Sequence, residues 1–235
     1  MIGVSRRKSV WIIGERGQGM TSALRSQVRQ IGDDSVVAGR GPGQMGWYQY
    51  AANHLVAGKS VLDVGCGMGV GLDLLSRAAR EARGQDLDPR LARADVTVGP
   101  IKEIPDKSFD VITCVDVIEH VEQDEAFVRE LGRIARETVF VSTPNWTTSR
   151  CAWPYHIREY TPRQLRTLLE TIGKVTMLKG EPSGYQHWPV TNWSHDILND
   201  ARNWPPTAFA TRCFSRLLPP SLRLRAHQGA VVQVL

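Results

Sequence analysis

A strand that runs directly into a glycine-rich turn is the feature that most restricts the fold of this chain. Residues 60–64 are mainly apolar, and glycines follow at alternate positions, Gly65, Gly67 and Gly69, before a helical stretch. Because glycine has no Cβ, such a turn adopts backbone angles, and allows a ligand to approach, in ways that other residues prevent. In open α/β sheets, ligands bind beside the carboxyl ends of the strands. The turn therefore predicts an α/β fold with a ligand site at that edge.

Predicted strands and helices alternate from residue 47 onward. Helices are expected over residues 47–56, 70–80, 89–94 and 124–135, and a further helix begins after Thr161, where Pro162 and Gln164 complete a capping pattern. Strands are expected over residues 60–64, 82–86, 109–115, 139–142, 175–178 and 229–234. This alternation predicts an α/β, Rossmann-like, doubly wound fold, with a mostly parallel seven-stranded sheet and helices on both faces.

Composition excludes several classes of protein. The chain has 235 residues, 42% hydrophobic and 23% charged, which is typical of a globular domain rather than a disordered or collagen-like chain. No apolar stretch approaches the roughly 20 residues that span a bilayer. The four cysteines form no C-x-x-C pair, so we expect neither a zinc site built from them nor a disulfide framework. These features predict a cytoplasmic protein.

We expect an N-terminal extension over residues 1–46 and a single domain over residues 47–235, with an aromatic and basic insert at about 181–228. The extension contains a near match to a phosphate-binding loop over residues 14–21. Met20 replaces the lysine that would contact the phosphates, so the segment is interpreted as an ordinary glycine-rich turn.

Two classes of cofactor use such a glycine turn, and the residues around it distinguish them. A dinucleotide site needs a third glycine where this chain has Val70, and the charge of Asp63 would repel a pyrophosphate. The same carboxylate suits the ammonium group of S-adenosylmethionine. Asp86, at the end of the next predicted strand, is placed to accept hydrogen bonds from ribose hydroxyls. The chemistry favours S-adenosylmethionine.

The segments over residues 61–69 and 84–86 resemble the first two motifs of class I S-adenosylmethionine-dependent methyltransferases. Residues 104–112, 117–121, 141–145 and 156–162 resemble later segments of the small-molecule branch, which includes quinone-biosynthesis and glycan-modifying enzymes. The resemblance implies a cofactor site formed by Asp63, Gly65, Cys66, Gly67, Gly69, Asp86, Leu87, Ile101, Val115 and Asp116. Pro100 stands near the place where the family often has an acidic residue, so the adenine would be held by the Ile101 backbone and apolar packing.

Methyl transfer from a sulfonium is an in-line displacement that depends on positioning and requires no metal. A hydroxyl acceptor must also lose its proton, and a nearby base assists that step. His120, after the fourth strand of the fold, and His156, in a later loop, are the candidate catalytic bases. The alternatives are that His120 packs or caps a helix and that His156 fixes its loop. Glu119 either orients a histidine or, as we favour here, closes a helix.

Aromatic side chains predict where the acceptor binds. The expected substrate-binding residues are Trp153, Tyr155, Arg158, Tyr185 and Trp188, and the insert is expected to cover the acceptor site. Aromatic faces suit a sugar, an aromatic ring or a nucleobase equally well. The alternative is that these rings only pack the insert onto the sheet.

Positive charge is concentrated at the end of the chain. The net charge is +5, and residues 201–235 contain Arg202, Arg212, Arg216, Arg223 and Arg225 but no Lys, Asp or Glu. Residues 208–218 form a basic amphipathic pattern, which suits peripheral contact with an anionic membrane, a phosphate-bearing substrate or simple solvation.

We therefore predict an enzyme that methylates a small-molecule or glycan-type acceptor, on oxygen rather than nitrogen. One alternative is a nucleic-acid methyltransferase, which is disfavoured because residues 143–146 do not form an N-P-P-[YF] signature. The other alternative is a methyltransferase-like module that binds the cofactor without turnover.

Overall fold

The computed structural model describes residues 41–145, 155–180, 186–190 and 192–235, the side chains of residues 192–194 excepted. Within these ranges the chain forms six α-helices: α1 (Pro42–His54), α2 (Val70–Leu75), α3 (Asp124–Ile134), α4 (Pro162–Leu169), α5 (Asn192–Asn203) and α6 (Pro205–Leu217). The same ranges form eight strands: β1 (Ser60–Val64), β2 (Glu81–Asp86), β3 (Val96–Val98), β4 (Phe109–Val115), β5 (Ala135–Pro144), β6 (Gly173–Gly180), β7 (His187–Pro189) and β8 (His227–Val234).

The strands form one sheet in the order β3-β2-β1-β4-β5-β8-β6-β7. The neighbours from β3 to β5 are parallel, whereas β8 runs antiparallel to both β5 and β6. The predicted α/β, Rossmann-like class is confirmed, but the strand count of seven is wrong. The additional strand arises because β7 pairs antiparallel with the outer edge of β6.

Element boundaries differ from the predicted ones where local pattern is weakest. Helix α1 begins at Pro42, inside the predicted N-terminal extension and five residues before the predicted start of the helix, and Gln44 Oε1 accepts a hydrogen bond from the Gly41 N–H at 2.8 Å. Helix α2 ends at Leu75 instead of residue 80. The helix expected over residues 89–94 is a 3₁₀ turn, Pro89–Leu91, and β3 follows it.

Alternating side chains of the central strands supply two cores. Val61 and Val111, which pair in register, belong to the face covered by α1 and α2, whereas Leu62 and Ile112 belong to the face covered by α3 and α4. The predicted placement of helices on both faces is confirmed.

The insert between β6 and β8 contains β7, α5 and α6. Its α5 is joined to the carboxyl end of β5, where the side chain of Asn145 donates to Asn199 at 2.9 Å and accepts from Arg202 at 3.0 Å. An ion pair between Arg166 and Asp196 joins α4 to α5. The insert thus lies against the α4 side of the sheet.

Within the ranges described, no helix has both the length and the hydropathy needed to cross a bilayer. Three sequence predictions lie outside those ranges: the near match to a phosphate-binding loop at residues 14–21, and the substrate residues Trp153 and Tyr185.

Candidate active site

The glycine turn is held against the end of β2. The amides of Gly65 and Cys66 both donate to the Gln85 carbonyl, at 2.8 and 3.1 Å. Gly65 has φ +70°, and a Cβ there would lie 2.5 Å from a methyl group of Val117. Glycine is therefore required at this position by both the backbone angle and the close approach of Val117.

Asp86 joins this turn to the next loop. Its Oδ2 accepts from the Gly67 N–H at 2.9 Å, and its Oδ1 accepts from the Leu87 N–H at 2.7 Å. The structure thus brings together three residues predicted to bind the cofactor. The carboxylate remains partly exposed at the sheet edge, where the lone pairs of its oxygens suit ribose hydroxyls.

Asp63 lies beneath the turn and is fully buried. Its Oδ2 accepts from the Tyr48 hydroxyl at 2.9 Å and its Oδ1 from the Thr113 hydroxyl at 2.7 Å. The carboxylate therefore fixes β1 to α1 and β4, in addition to placing a negative charge under the turn. Sequence reasoning missed Tyr48, because nothing in the local pattern of α1 singles it out.

The carboxyl end of β4 places Asp116 in an unusual conformation, with φ +54°. Its Oδ1 accepts from the Ser142 hydroxyl at 2.8 Å, and its Oδ2 lies 3.0 Å from His227 Nε2. Such left-handed angles are strained outside glycine and are held by surrounding contacts. A cavity beside Asp116 is lined by Gly41, Gly43, Gln44, Ala226 and His227.

His227 was not predicted as a site residue, because only sheet pairing brings it to Asp116. Its Nδ1 accepts from the Trp47 indole N–H at 2.5 Å. Burial lowers the pKa of His227, but the charge of Asp116 and the hydrogen bond to it outweigh burial and raise that pKa overall. Of the other predicted cofactor residues, Val115 is buried in β4 and Ile101 is buried in a 3₁₀ turn.

The two predicted bases are brought together after β4. The ring centroids of His120 and His156 lie 5.0 Å apart, with the rings edge to face. Glu119 is the third member of the group. Ligand-type atoms of the three residues all lie within 4.8 Å of one another. We call this group the acceptor-side cluster.

Glu119 is completely buried and lies in the 3₁₀ turn Ile118–His120. Its Oε2 accepts from the Thr143 hydroxyl at 3.0 Å. Its Oε1 lies 3.9 Å from His156 Nε2 and has no hydrogen-bond partner among the described residues. Burial raises the pKa of Glu119 well above its usual range, and the charge of Asp116 adds to the effect.

Both histidines are oriented through Nδ1. His120 Nδ1 lies 3.1 Å from the Tyr155 carbonyl oxygen, and His156 Nδ1 lies 2.9 Å from Glu159 Oε1. The predicted substrate residue Tyr155 is therefore next to the cluster through its backbone.

The remaining predicted substrate residues have other neighbours. Arg158 pairs with Asp124 and donates to the Glu122 carbonyl at 2.8 Å, which ties its loop to the start of α3. Trp188 lies on β7 with the Arg225 guanidinium 5.0 Å from its ring centroid. Because β7 is three strands from β5 in the sheet, Trp188 on β7 lies roughly 14 Å from Thr143 on β5.

Residues 45–176 match the profile of a family described as a methyltransferase domain. A probable S-adenosylmethionine-dependent methyltransferase of Mycolicibacterium smegmatis is 38% identical over 143 residues, which cover 54% of this chain and 55% of that protein. A ubiquinone biosynthesis O-methyltransferase of Albidiferax ferrireducens is 36% identical over 113 residues, covering 40% and 45%. The chain spans about half the length of the curated relatives it matches.

Solved structures share the fold. A SAM-dependent methyltransferase from Archaeoglobus fulgidus aligns with a TM-score of 0.56 and 18% identity, covering 80% of this chain and 92% of that one. A Burkholderia thailandensis 1,6-didemethyltoxoflavin-N1-methyltransferase, solved with S-adenosylhomocysteine, aligns with a TM-score of 0.56 and 13% identity, covering 87% and 84%.

Proposed function

This chain belongs to the methyltransferase-domain family, and on that premise we propose that it transfers a methyl group from S-adenosylmethionine to an oxygen of a small-molecule or glycan-type acceptor. The identification as a class I S-adenosylmethionine-dependent methyltransferase is confirmed by the family match, and with it the predicted cofactor. The choice of oxygen and the class of acceptor are the proposal.

The acceptor-side cluster carries the proposal. An alcohol or phenol must lose a proton when it is methylated, whereas a neutral amine attacks through a lone pair that it already has. A buried carboxylate next to two oriented imidazoles, placed just after β4, is an arrangement suited to removing that proton. Relatives named ubiquinone biosynthesis O-methyltransferases support an oxygen acceptor.

On the donor side, we propose that Asp86 binds the ribose hydroxyls and that the glycine turn, with Asp63 beneath it, faces the amino-acid end of the cofactor. Leu87, Ile101, Val115 and Asp116 would surround the adenine and sulfonium. Asp86 supports this placement most directly, because the Gly67 amide fixes its carboxylate against the turn.

The test is methyl transfer from labelled S-adenosylmethionine to a panel of phenols, catechols, sugars and primary amines, with the products analysed by mass spectrometry. Labelled ethers from hydroxylated acceptors are expected, and labelling of amines alone would contradict the proposal. His120→Ala and His156→Ala should each lower turnover at saturating cofactor by about 10²-fold or more. His54→Ala, at an exposed histidine of α1, is the matched control and should retain full rate.

We also propose that α6 rests on an anionic membrane surface. Phe209 is 81% exposed and Leu217 is 84% exposed, and Phe214 is exposed as well, so in the described structure the apolar side of this helix does not pack on the domain. Arg212 and Arg216 are exposed on the same helix. Exposed aromatic and aliphatic side chains flanked by arginines fit the headgroup region of anionic lipids.

Vesicle co-sedimentation tests this contact. The protein should bind vesicles containing phosphatidylglycerol and not vesicles of phosphatidylcholine alone. The double variant Phe209→Ser/Leu217→Ser should lose at least tenfold in binding, as should Arg212→Gln/Arg216→Gln. Equal binding by all forms, or a dimer in solution that the Phe209→Ser/Leu217→Ser change dissociates, would overturn the membrane assignment.

A further inference from the structure

We propose that Glu119, His120 and His156 form a site for one divalent transition-metal cation, with Zn²⁺ and Mn²⁺ as the expected occupants. Two imidazoles and one carboxylate are a ligand set that binds such cations and leaves coordination positions open. The family match does not assign this site, and methyl transfer by itself requires no metal.

The geometry is close to that of a bound metal. Ligand-type atoms from the three residues lie within 4.8 Å of one another, and Glu119 Oε1 lies 3.9 Å from His156 Nε2. Ligand atoms bound tetrahedrally at about 2.1 Å from zinc lie roughly 3.4 Å apart. Small side-chain rotations would therefore bring the three residues to coordination distance.

Glu119 supplies an observation that points independently to a ligand. Its side chain is completely buried, and within the part of the chain that the structure describes Oε1 has no hydrogen-bond partner, although Oε2 accepts from Thr143. A buried carboxylate oxygen with no partner is costly, and the structure keeps it next to His156. A cation between Glu119 Oε1 and His156 Nε2 would compensate that cost.

The outer contacts have the form typical of metal-binding histidines. A ligating imidazole usually donates its other N–H to a carbonyl or carboxylate, which fixes the tautomer and orients the ring. The Tyr155 carbonyl faces His120 Nδ1 at 3.1 Å, and the Glu159 carboxylate faces His156 Nδ1 at 2.9 Å. Both contacts place the proton on Nδ1 and the lone pair on Nε2.

The role of the cation rests on the proposed function, with one change: the three residues bind the cation through their lone pairs instead of removing the proton directly. An acceptor hydroxyl bound at an open coordination position becomes more acidic, so its O–H bond breaks and the proton passes to bulk water. The alkoxide oxygen then forms a bond to the methyl carbon while the carbon–sulfur bond breaks. The electron pair of that bond returns to sulfur, and S-adenosylhomocysteine is released.

Metal binding is measured on the full chain, free of any histidine-rich tag and treated with a chelator, by calorimetric titration with Mn²⁺ and separately with Zn²⁺. One equivalent per chain is expected for the wild type and for the matched control His54→Ala. Glu119→Gln, which keeps the side-chain shape, and His156→Ala should each bind at least tenfold more weakly. Circular dichroism and S-adenosylmethionine affinity verify that the variants are folded.

Mn²⁺ is included because cysteine thiolates prefer softer ions, so binding of Mn²⁺ reports on the nitrogen and oxygen ligands. The site is overturned if the wild type binds no stoichiometric cation, or if Glu119→Gln and His156→Ala bind as tightly as the wild type. Because the titration contains no acceptor, failure of the oxygen-methylation proposal leaves this result unaffected. A separate measurement addresses the role: turnover should fall on chelation and return on adding Mn²⁺, and an unchanged rate would exclude that role.

Discussion

Two halves of the molecule differ in how fully their buried polar groups are hydrogen-bonded: the donor half, with Asp63 and Asp86, and the chain from Glu119 onward, named the acceptor half after the proposed function. On the donor side, Asp63 and Asp86 accept hydrogen bonds through both carboxylate oxygens. The buried side-chain nitrogen and oxygen atoms without a partner, within the ranges described, all belong to residues from Glu119 onward. They include atoms of Glu119, His187, His195, Asp196, Asn203, Arg225 and Gln228.

The carboxylates of the donor half are satisfied by their own neighbours, whereas the acceptor half contains buried polar atoms without a partner among the described residues. A buried polar atom without a partner costs free energy that the fold must offset elsewhere. Such a cost is typical of functional regions, where a ligand supplies the missing contacts. The proposed cation and acceptor both bind in that half.

The largest expected effect is on acid stability of the acceptor half. Burial lowers the pKa of His195 to about 3, assisted by the charges of Lys179 and Arg202, and burial lowers the pKa of His187 to about 4. Between these values and about 6.5, the unfolded chain binds more protons than the folded chain, so stability falls as the pH falls. Each pH unit in that range costs up to about 1.4 kcal/mol for His195, and less for His187, which is only partly buried and is screened by solvent.

Denaturant unfolding between pH 7 and pH 4 measures this loss. His195→Leu should flatten the acid limb of the curve far more than His54→Leu, because His54 is exposed and contributes only through the effect of its charge on the pKa of His187. His227 acts in the opposite sense, because Asp116 raises its pKa and protonation then favours the folded chain. An acid limb that is identical in wild type and His195→Leu would show that the buried histidines do not set the difference between the halves.

The second effect tests the tight packing of the donor half, through two glycines with nearly equal backbone angles. Gly65 has φ +70° and Gly58 has φ +69°, but a Cβ at Gly65 would meet Val117 whereas nothing lies within 4 Å of one at Gly58. Gly58→Ala should cost about 1 kcal/mol through backbone strain alone. Gly65→Ala should cost about 1–3 kcal/mol more, because the added methyl overpacks the turn.

The free energies of unfolding of both variants give the comparison directly. Calorimetry should also show weaker S-adenosylmethionine binding for Gly65→Ala only. Equal losses of stability would mean that the contact with Val117 does not constrain the turn.

The smallest expected effect concerns a single contact with the cofactor. Asp86→Ala should weaken S-adenosylmethionine binding at least tenfold, about 1.4 kcal/mol, because the ribose hydroxyls lose their acceptor. Asp106→Ala, at an exposed carboxylate before β4, is the control and should bind normally. Unchanged calorimetric affinity of Asp86→Ala would contradict the assignment of Asp86 to the ribose.

The residues of the donor half could be predicted from the local sequence pattern because they lie close together along the chain. Asp63, the glycine turn and Asp86 lie on two consecutive strands with one short helix between them, and parallel pairing of β1 with β2 places their ends side by side. The acceptor half could be predicted only as a set of candidates. His120 and His156 are far apart in the chain, and no spacing rule indicates that Glu119 lies between them.

The order of residues by itself determined the α/β class, the position of the glycine turn and the choice of S-adenosylmethionine, since these follow from side-chain size, charge and periodicity over a few residues. Only the tertiary structure decided that β7 adds an eighth strand, that His227 meets Asp116, that Glu119 is buried beside His156, and that the apolar side of α6 faces outward. The physical reason is that burial and pairing depend on which distant segments pack together, and local sequence does not contain that information.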